Sequence, residues 1–248
     1  MDPINSHRAA SLTDGADRAV SSDRPSSQGY VAFSRLVNAA ALALAVLLSA
    51  VPPSGAAQPL RLLVLGDSLT AGYGLAAEDA FTARLGAALK AAGRDATVLN
   101  AGVSGDTTAG GRARIGWALA DRPDAVIVEL GANDGLRGLD PRATRDNLDA
   151  ILATVRAAGL PVLLTGMLAP PNLGRDYAED FNAVYPRLAE KHGVPFYPFF
   201  LAGVAARPEL NQDDGIHPNA KGVKVIVERI LPYVLDLLAR AGERADRS

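Results

Sequence analysis

Leu62-Leu63-Val64-Leu65-Gly66-Asp67-Ser68-Leu69-Thr70 is the stretch that decides the fold. Four consecutive large apolar residues suit a strand buried on both faces, the kind found inside parallel sheets. The Gly-Asp pair that follows forces a turn and leaves a small serine, Ser68, at the end of a rigid strand. A nucleophile can be exposed there without being mobile.

Three later segments carry matching chemistry: Gly102-Val103-Ser104-Gly105-Asp106, Gly131-Ala132-Asn133-Asp134 and Asp213-Asp214-Gly215-Ile216-His217-Pro218. With the Gly66-Asp67-Ser68-Leu69 run they form four blocks, in an order that resembles the SGNH or GDSL hydrolase superfamily. The match is to its bacterial thioesterase I, lysophospholipase and arylesterase group, over roughly residues 60 to 238. Ile115, Val128-Glu129-Leu130, Gly135-Leu136-Arg137-Gly138 and Asp213 to Asn219 extend the resemblance. It implies a serine hydrolase of acyl esters and thioesters, with lysophospholipids among its substrates and with no cofactor or metal. It also assigns the oxyanion donors to the Ser68 amide, the Gly105 amide and the Asn133 side chain.

The residues support part of this on their own. Serine needs an adjacent base, and the chain has three histidines. His7 lies in a polar prefix, and His192, in Lys191-His192-Gly193, has the place of a helix C-terminal residue that caps carbonyls. His217 is left, three residues after Asp214, which can orient the imidazole and fix its tautomer. Asp-x-x-His alone is more often a polar turn; joined to the serine block it reads as catalytic. Glycine at 105 permits close approach of a backbone N–H, or simply a tight turn, and Asn133 taken alone is equally a turn residue. Asp67 is read as a loop-stabilising acceptor. Gly72-Tyr73-Gly74-Leu75-Ala76-Ala77 satisfies a dinucleotide-binding spacing but does not follow the first strand directly, and the second strand ends at Asn100 in place of an acidic ribose ligand.

Short apolar runs alternate with helical stripes from residue 60 onward, the pattern of a parallel sheet covered on both faces. Strands are expected at Leu62 to Leu65, Ala96 to Leu99, Ala125 to Leu130, Pro161 to Thr165 and Val194 to Tyr197. Helical stripes run through Phe81, Leu85 and Leu89; Leu148, Ile151, Leu152 and Val155; and Tyr177, Phe181, Val184, Tyr185 and Leu188. Asp140-Pro141 starts one helix and Gly159 with Pro161 ends it. A last helix carries Val223, Val227, Ile230, Val234 and Leu238, with a kink expected at Pro232. The expected class is α/β: a three-layer α/β/α sandwich with a flavodoxin-like, five-stranded parallel sheet.

Composition bounds the rest. At 248 residues and 48% hydrophobic content the chain can bury one sizeable core. The net charge of −2, with basic and acidic residues interspersed, argues against nucleic acid. The absence of cysteine excludes disulfides and thiol chemistry. Aromatic residues make up 5%, with Trp117 the single tryptophan, which offers little sugar-stacking surface to a carbohydrate deacetylase, the alternative within the same superfamily. A ligand-binding module that has lost hydrolysis is the second alternative, and the intact Ser68, Asn133, Asp214 and His217 argue against it. Residues 36 to 51 are apolar, follow Arg35 and run into Pro52-Pro53-Ser54-Gly55-Ala56-Ala57, which reads as a secretory signal cut near Ala57 and not as a lasting membrane anchor. The polar residues before it are too poor in apolar groups to fold, and their length places the translation start downstream, for example at Val31. The expected division is therefore a prefix plus signal over 1 to 57 and a catalytic domain over 58 to 248, periplasmic or secreted. Two glycines in Gly135 to Asp140 suit a loop that shifts over an acyl chain, and Ala169-Pro170-Pro171 stiffens the loop from Met167 to Gly174.

Overall fold

The structure, a computed structural model, describes residues 58–245; the expected prefix, signal segment, His7 and Val31 lie outside the described residues. Five strands form one sheet: β1 (Leu60–Gly66), β2 (Ala96–Gly102), β3 (Ala125–Glu129), β4 (Val162–Thr165) and β5 (Phe196–Tyr197). All pairings are parallel and the spatial order is β2-β1-β3-β4-β5. That is the doubly wound order whose switch point lies between β1 and β3.

The helices are α1 (Ser68–Ala71), α2 (Phe81–Ala91), α3 (Thr108–Ala118), α4 (Ala132–Leu136), α5 (Pro141–Ala157), α6 (Arg175–His192) and α7 (Ala220–Ala245). α2 packs with α7, while α3, α5 and α6 pack in succession, giving the two helical layers of the sandwich. Every residue of β3 and β4 is buried, which explains why both are apolar up to their last residues, Glu129 and Thr165. The helical stripes read from the sequence face this sheet, with Phe81, Leu85, Leu89, Leu148, Ile151, Phe181 and Ile230 at or near zero exposure.

The ends of the elements have local causes. The Asp140 side chain accepts from the Arg142 amide at 2.9 Å and starts α5. Asn219 does the same for α7, accepting from Lys221 at 3.0 Å and Gly222 at 3.1 Å. Pro232 sits inside α7, which is continuous through it from Ala220 to Ala245. β5 is shorter than its apolar run because Pro195 and Pro198 bracket it and cannot donate to a ladder. β1 and β2 instead run longer, to Gly66 and Gly102.

Register is what gathers the functional blocks. Gly66 of β1 pairs with both Gly102 of β2 and Glu129 of β3, so these three residues lie in one row at the carboxyl edge. Ser68 follows that row by two residues, Gly105 by three and Asn133 by four. The row is glycine-rich for a steric reason: a Cβ on Gly102 would collide with the backbone of Ala71, so α1 could not settle onto the strand ends.

Candidate active site

Ser68 opens α1, and Asp67 caps that helix by accepting from the Leu69 amide at 3.0 Å. The short helix turns back through Gly72, which adopts the left-handed conformation at φ 82°. Ser68 Oγ lies 3.0 Å from His217 Nε2, and His217 Nδ1 lies 2.6 Å from Asp214 Oδ2. The three side chains thus form one continuous hydrogen-bonded line. Asp214 Oδ1 accepts from the Ile216 and His217 amides at 2.9 and 3.0 Å. The His217 amide and imidazole, followed by the Ile216 amide, hold the Asp214 carboxyl down at about 2, so it is ionised wherever the protein works.

The His217 loop is clamped onto the Ser68 loop. Gln212 Nε2 donates to the Tyr73 carbonyl at 2.8 Å and to the Pro218 carbonyl at 3.0 Å, and its amide donates to the His217 carbonyl at 2.7 Å. The Tyr73 ring lies tilted against the imidazole at 4.6 Å between centroids. Asn211 fastens the base of the loop through the Val204 and Arg207 carbonyls, both at 2.8 Å.

On the opposite side, Asn133 Nδ2 donates to the Asp106 carbonyl at 2.9 Å and more weakly to Asp67 Oδ2 at 3.3 Å. Gly105 takes φ 81°, a conformation that strains side-chain-bearing residues, so both the turn and the close approach favour glycine. Arg114 holds this corner together. Its Nε bonds Asp106 Oδ2 at 2.7 Å, Nη1 the Ala101 carbonyl at 2.7 Å and Nη2 the Gly66 carbonyl at 2.8 Å, tying the ends of β1 and β2 to the Gly105 turn. Asp134 secures the neighbouring turn, accepting from Thr108 N at 2.9 Å, Thr108 Oγ1 at 2.5 Å and Thr144 Oγ1 at 3.2 Å.

Behind Ser68 lies a buried carboxyl pair. Asp67 and Glu129 are both fully buried; Glu129 Oε2 accepts from Thr70 Oγ1 at 2.7 Å and the Asp67 amide at 3.4 Å, while Oε1 has no partner. Burial, reinforced by the Asp67 charge, pushes the Glu129 carboxyl well above its usual range, and burial likewise lifts Asp67 to about 6. Burial thus biases both carboxyls towards the neutral form, Glu129 the more so, while the hydrogen bonds from the Leu69 amide and Asn133 favour the ionised form of Asp67. A carboxyl raised by folding contributes most to stability below its unfolded value of 4.5 and loses that contribution as pH rises towards its folded value. Glu129→Gln has no such proton to lose, so its melting temperature relative to wild type should rise between pH 5 and pH 8. An unchanging gap across that range would mean that Glu129 is not held neutral.

The five sequence-derived positions, Ser68, Gly105, Asn133, Asp214 and His217, thus lie on loops and helix starts at one edge of the sheet. His192 is elsewhere and differs from its expected role: its Nε2 meets Asp149 Oδ1 at 2.6 Å in place of helix carbonyls. Gly135 is also not a hinge. It is buried inside α4, where a Cβ would press on Phe181 at 3.3 Å and Pro170 at 3.4 Å. The reading missed Arg114, Gln212 and the role of Glu129. Glu129 did carry a signal, a lone acid in an otherwise apolar strand, which is costly to bury without partners. No cluster of three or more His, Cys, Asp or Glu fit for a metal ion occurs among the described residues.

Comparison with known proteins gives the family. Residues 64–225 match the model of the GDSL-like lipase/acylhydrolase family. An arylesterase of Vibrio mimicus is 43% identical over 169 residues, spanning 68% of this chain and 84% of that one. The thioesterase 1/protease 1/lysophospholipase L1 of Escherichia coli K12 is 43% identical over 180 residues, 72% of this chain and 81% of that one. The crystal structure of AlinE4, an SGNH-hydrolase family esterase, superposes with a TM-score of 0.62 at 47% identity, covering 72% of this chain and 96% of that one. The chain belongs to the GDSL-like lipase/acylhydrolase family. It is an enzyme of the SGNH esterase type.

Proposed function

We propose that the chain hydrolyses carboxylic ester and thioester bonds through an acyl-enzyme on Ser68, with His217 as general base and Asp214 as its orienting partner. The observation that carries this reading is the line from Ser68 Oγ through His217 to Asp214, at 3.0 and 2.6 Å. Neutral His217 accepts the Ser68 proton as Oγ attacks the carbonyl carbon. The imidazolium then returns that proton to the departing alkoxide or thiolate, and the ionised Asp214 stabilises it meanwhile. Water, deprotonated by the same imidazole, releases the acid and restores Ser68.

The tetrahedral oxyanion falls to the Ser68 and Gly105 amides and the Asn133 side chain. Its arrival displaces only the weaker of the two Asn133 bonds, that to Asp67 at 3.3 Å, while the Asp106 carbonyl keeps the amide oriented. Exposed Tyr73, Val103, Leu168 and Ile216 on loops and Leu136 at the end of α4 stand at this same edge, an apolar surround that favours an acyl substrate over a sugar. The relatives named arylesterase and thioesterase 1/lysophospholipase L1 support the substrate range of aryl esters, acyl thioesters and lysophospholipids.

Residues 58–248 are the catalytic domain in this reading, and residues 36 to 57 the signal that exports it to the periplasm. No helix among the described residues is long and apolar enough to cross a membrane. Sequencing the exported protein should find a first residue close to Gln58; retention of residues 36 to 51 would make that segment an anchor.

A panel of p-nitrophenyl esters, acyl-CoAs and lysophospholipids tests the activity. Turnover of the esters and thioesters is expected, with kcat/KM increasing from acidic to neutral pH because only an unprotonated base accepts the Ser68 proton. A protein that binds these acyl compounds and hydrolyses none would be a binding module.

A further inference from the structure

Arg137 stands beside the proposed oxyanion cradle with most of its hydrogen-bonding capacity unused. It is exposed, caps the C-terminus of α4 four residues after Asn133, and donates from Nη2 to the Gly105 carbonyl at 2.8 Å. A guanidinium has five N–H donors, so this bond pins the group and leaves the others directed outward.

Arg114 and Arg142, by contrast, are paired with carboxylates, Arg114 with Asp106 and Arg142 with Asp140. Arg137 has no carboxylate partner among the described residues. Of the two acids three residues away, Asp134 is 1% exposed and accepts from Thr108 and Thr144, and Asp140 pairs with Arg142. An exposed, positioned and unpaired guanidinium is suited to a phosphate, whose oxygens match its planar fork.

The reach of the group specifies which phosphate. The nitrogen and carbonyl oxygen of one residue are separated by roughly 3 to 3.6 Å, which puts the guanidinium within about 6.5 Å of the Gly105 amide. In an acylated glycerophosphate, phosphorus is six bonds from the scissile carbonyl carbon, or about 7 Å at roughly 1.2 Å of reach per bond. In a pantetheine thioester the first phosphorus is fourteen bonds away, about 17 Å at the same reach, well past Arg137. We infer that Arg137 is a specificity-determining residue that binds the phosphodiester of a lysophospholipid one glycerol unit beyond the reacting carbonyl. This deepens, and rests on, the proposed ester hydrolysis at Ser68.

The test uses two monomeric substrates with the same acyl chain, a 1-acyl-glycerophosphocholine and the corresponding 1-monoacylglycerol, with wild type, Arg137→Gln and Arg137→Lys. Arg137→Gln should lose about tenfold or more in kcat/KM on the phosphate substrate, the effect of one charge-assisted hydrogen bond, and clearly less on the monoacylglycerol. Arg137→Lys should recover part of the difference. Added salt should erode the wild-type preference for the phosphate substrate and leave Arg137→Gln unaffected. Equal losses on both substrates would overturn the inference, because they would leave Arg137 only the task of fixing the Gly105 turn. An unchanged ratio of the two rates in Arg137→Gln would overturn it as well. Monoacylglycerol hydrolysis by the wild type tests ester hydrolysis separately, so failure there would overturn the underlying reading and not the headgroup assignment alone.

Discussion

Ser68→Ala and His217→Ala should each lower kcat on a p-nitrophenyl ester by about 10⁴- to 10⁶-fold, because nucleophile and base act as one unit and the loss of either disables both. The double variant should be scarcely worse than either single one. Stability should hardly change. Ser68 loses one hydroxyl whose partner is His217, and the histidine loop keeps its attachment through Gln212 and Asn211. Kinetics on carefully purified protein, paired with thermal melts, would check both statements. Near-wild-type turnover in either variant would remove that residue from its role, and a large fall in melting temperature would make the kinetic loss uninformative.

Asn133→Ala should lower kcat by about 10²- to 10³-fold with a much smaller change in KM, since its hydrogen bond strengthens as charge develops on the carbonyl oxygen. The structure adds a consequence. Asn133 also donates to Asp67 and to the Asp106 carbonyl, so its removal withdraws one of the groups that counter the buried Asp67 charge. Asn133→Asp would be worse than Asn133→Ala, because a carboxylate would meet the Asp67 charge as well as the oxyanion. A loss confined to KM in Asn133→Ala would assign the side chain to ground-state binding instead.

Much of this molecule is legible in its sequence because its sheet is buried on both faces. The runs Leu62 to Leu65 and Ala125 to Val128 have to be apolar throughout, and the stripes of α2, α5 and α6 must face them. His217 is nominated as the base by elimination, because His7 lies in the polar prefix and His192 at the end of a helix. What escaped the sequence reading depends on long-range register. Arg114 sits on a helix where an arginine ordinarily faces water, and nothing local shows that its guanidinium reaches back to the ends of β1 and β2. Gln212 is an unremarkable polar loop residue until the fold brings Tyr73 to it across 139 positions. The two glycines of the Gly135 to Asp140 segment suggested mobility, yet Gly135 is required by packing against Phe181, and the Leu139 carbonyl is held by the Tyr177 hydroxyl at 2.8 Å. Strand ends were misplaced where proline removed a donor, at β5, and where edge strands carried polar residues, at β2.

Ser68 as a nucleophile activated by His217 is the claim on which the mechanism stands. Treatment with a fluorophosphonate, followed by peptide mapping, reads it directly. The mechanism predicts one adduct per chain, on Ser68, with labelling lost in Ser68→Ala and slowed by orders of magnitude in His217→Ala. An unlabelled wild-type protein that still hydrolyses esters, or an adduct on a residue other than Ser68, would contradict it.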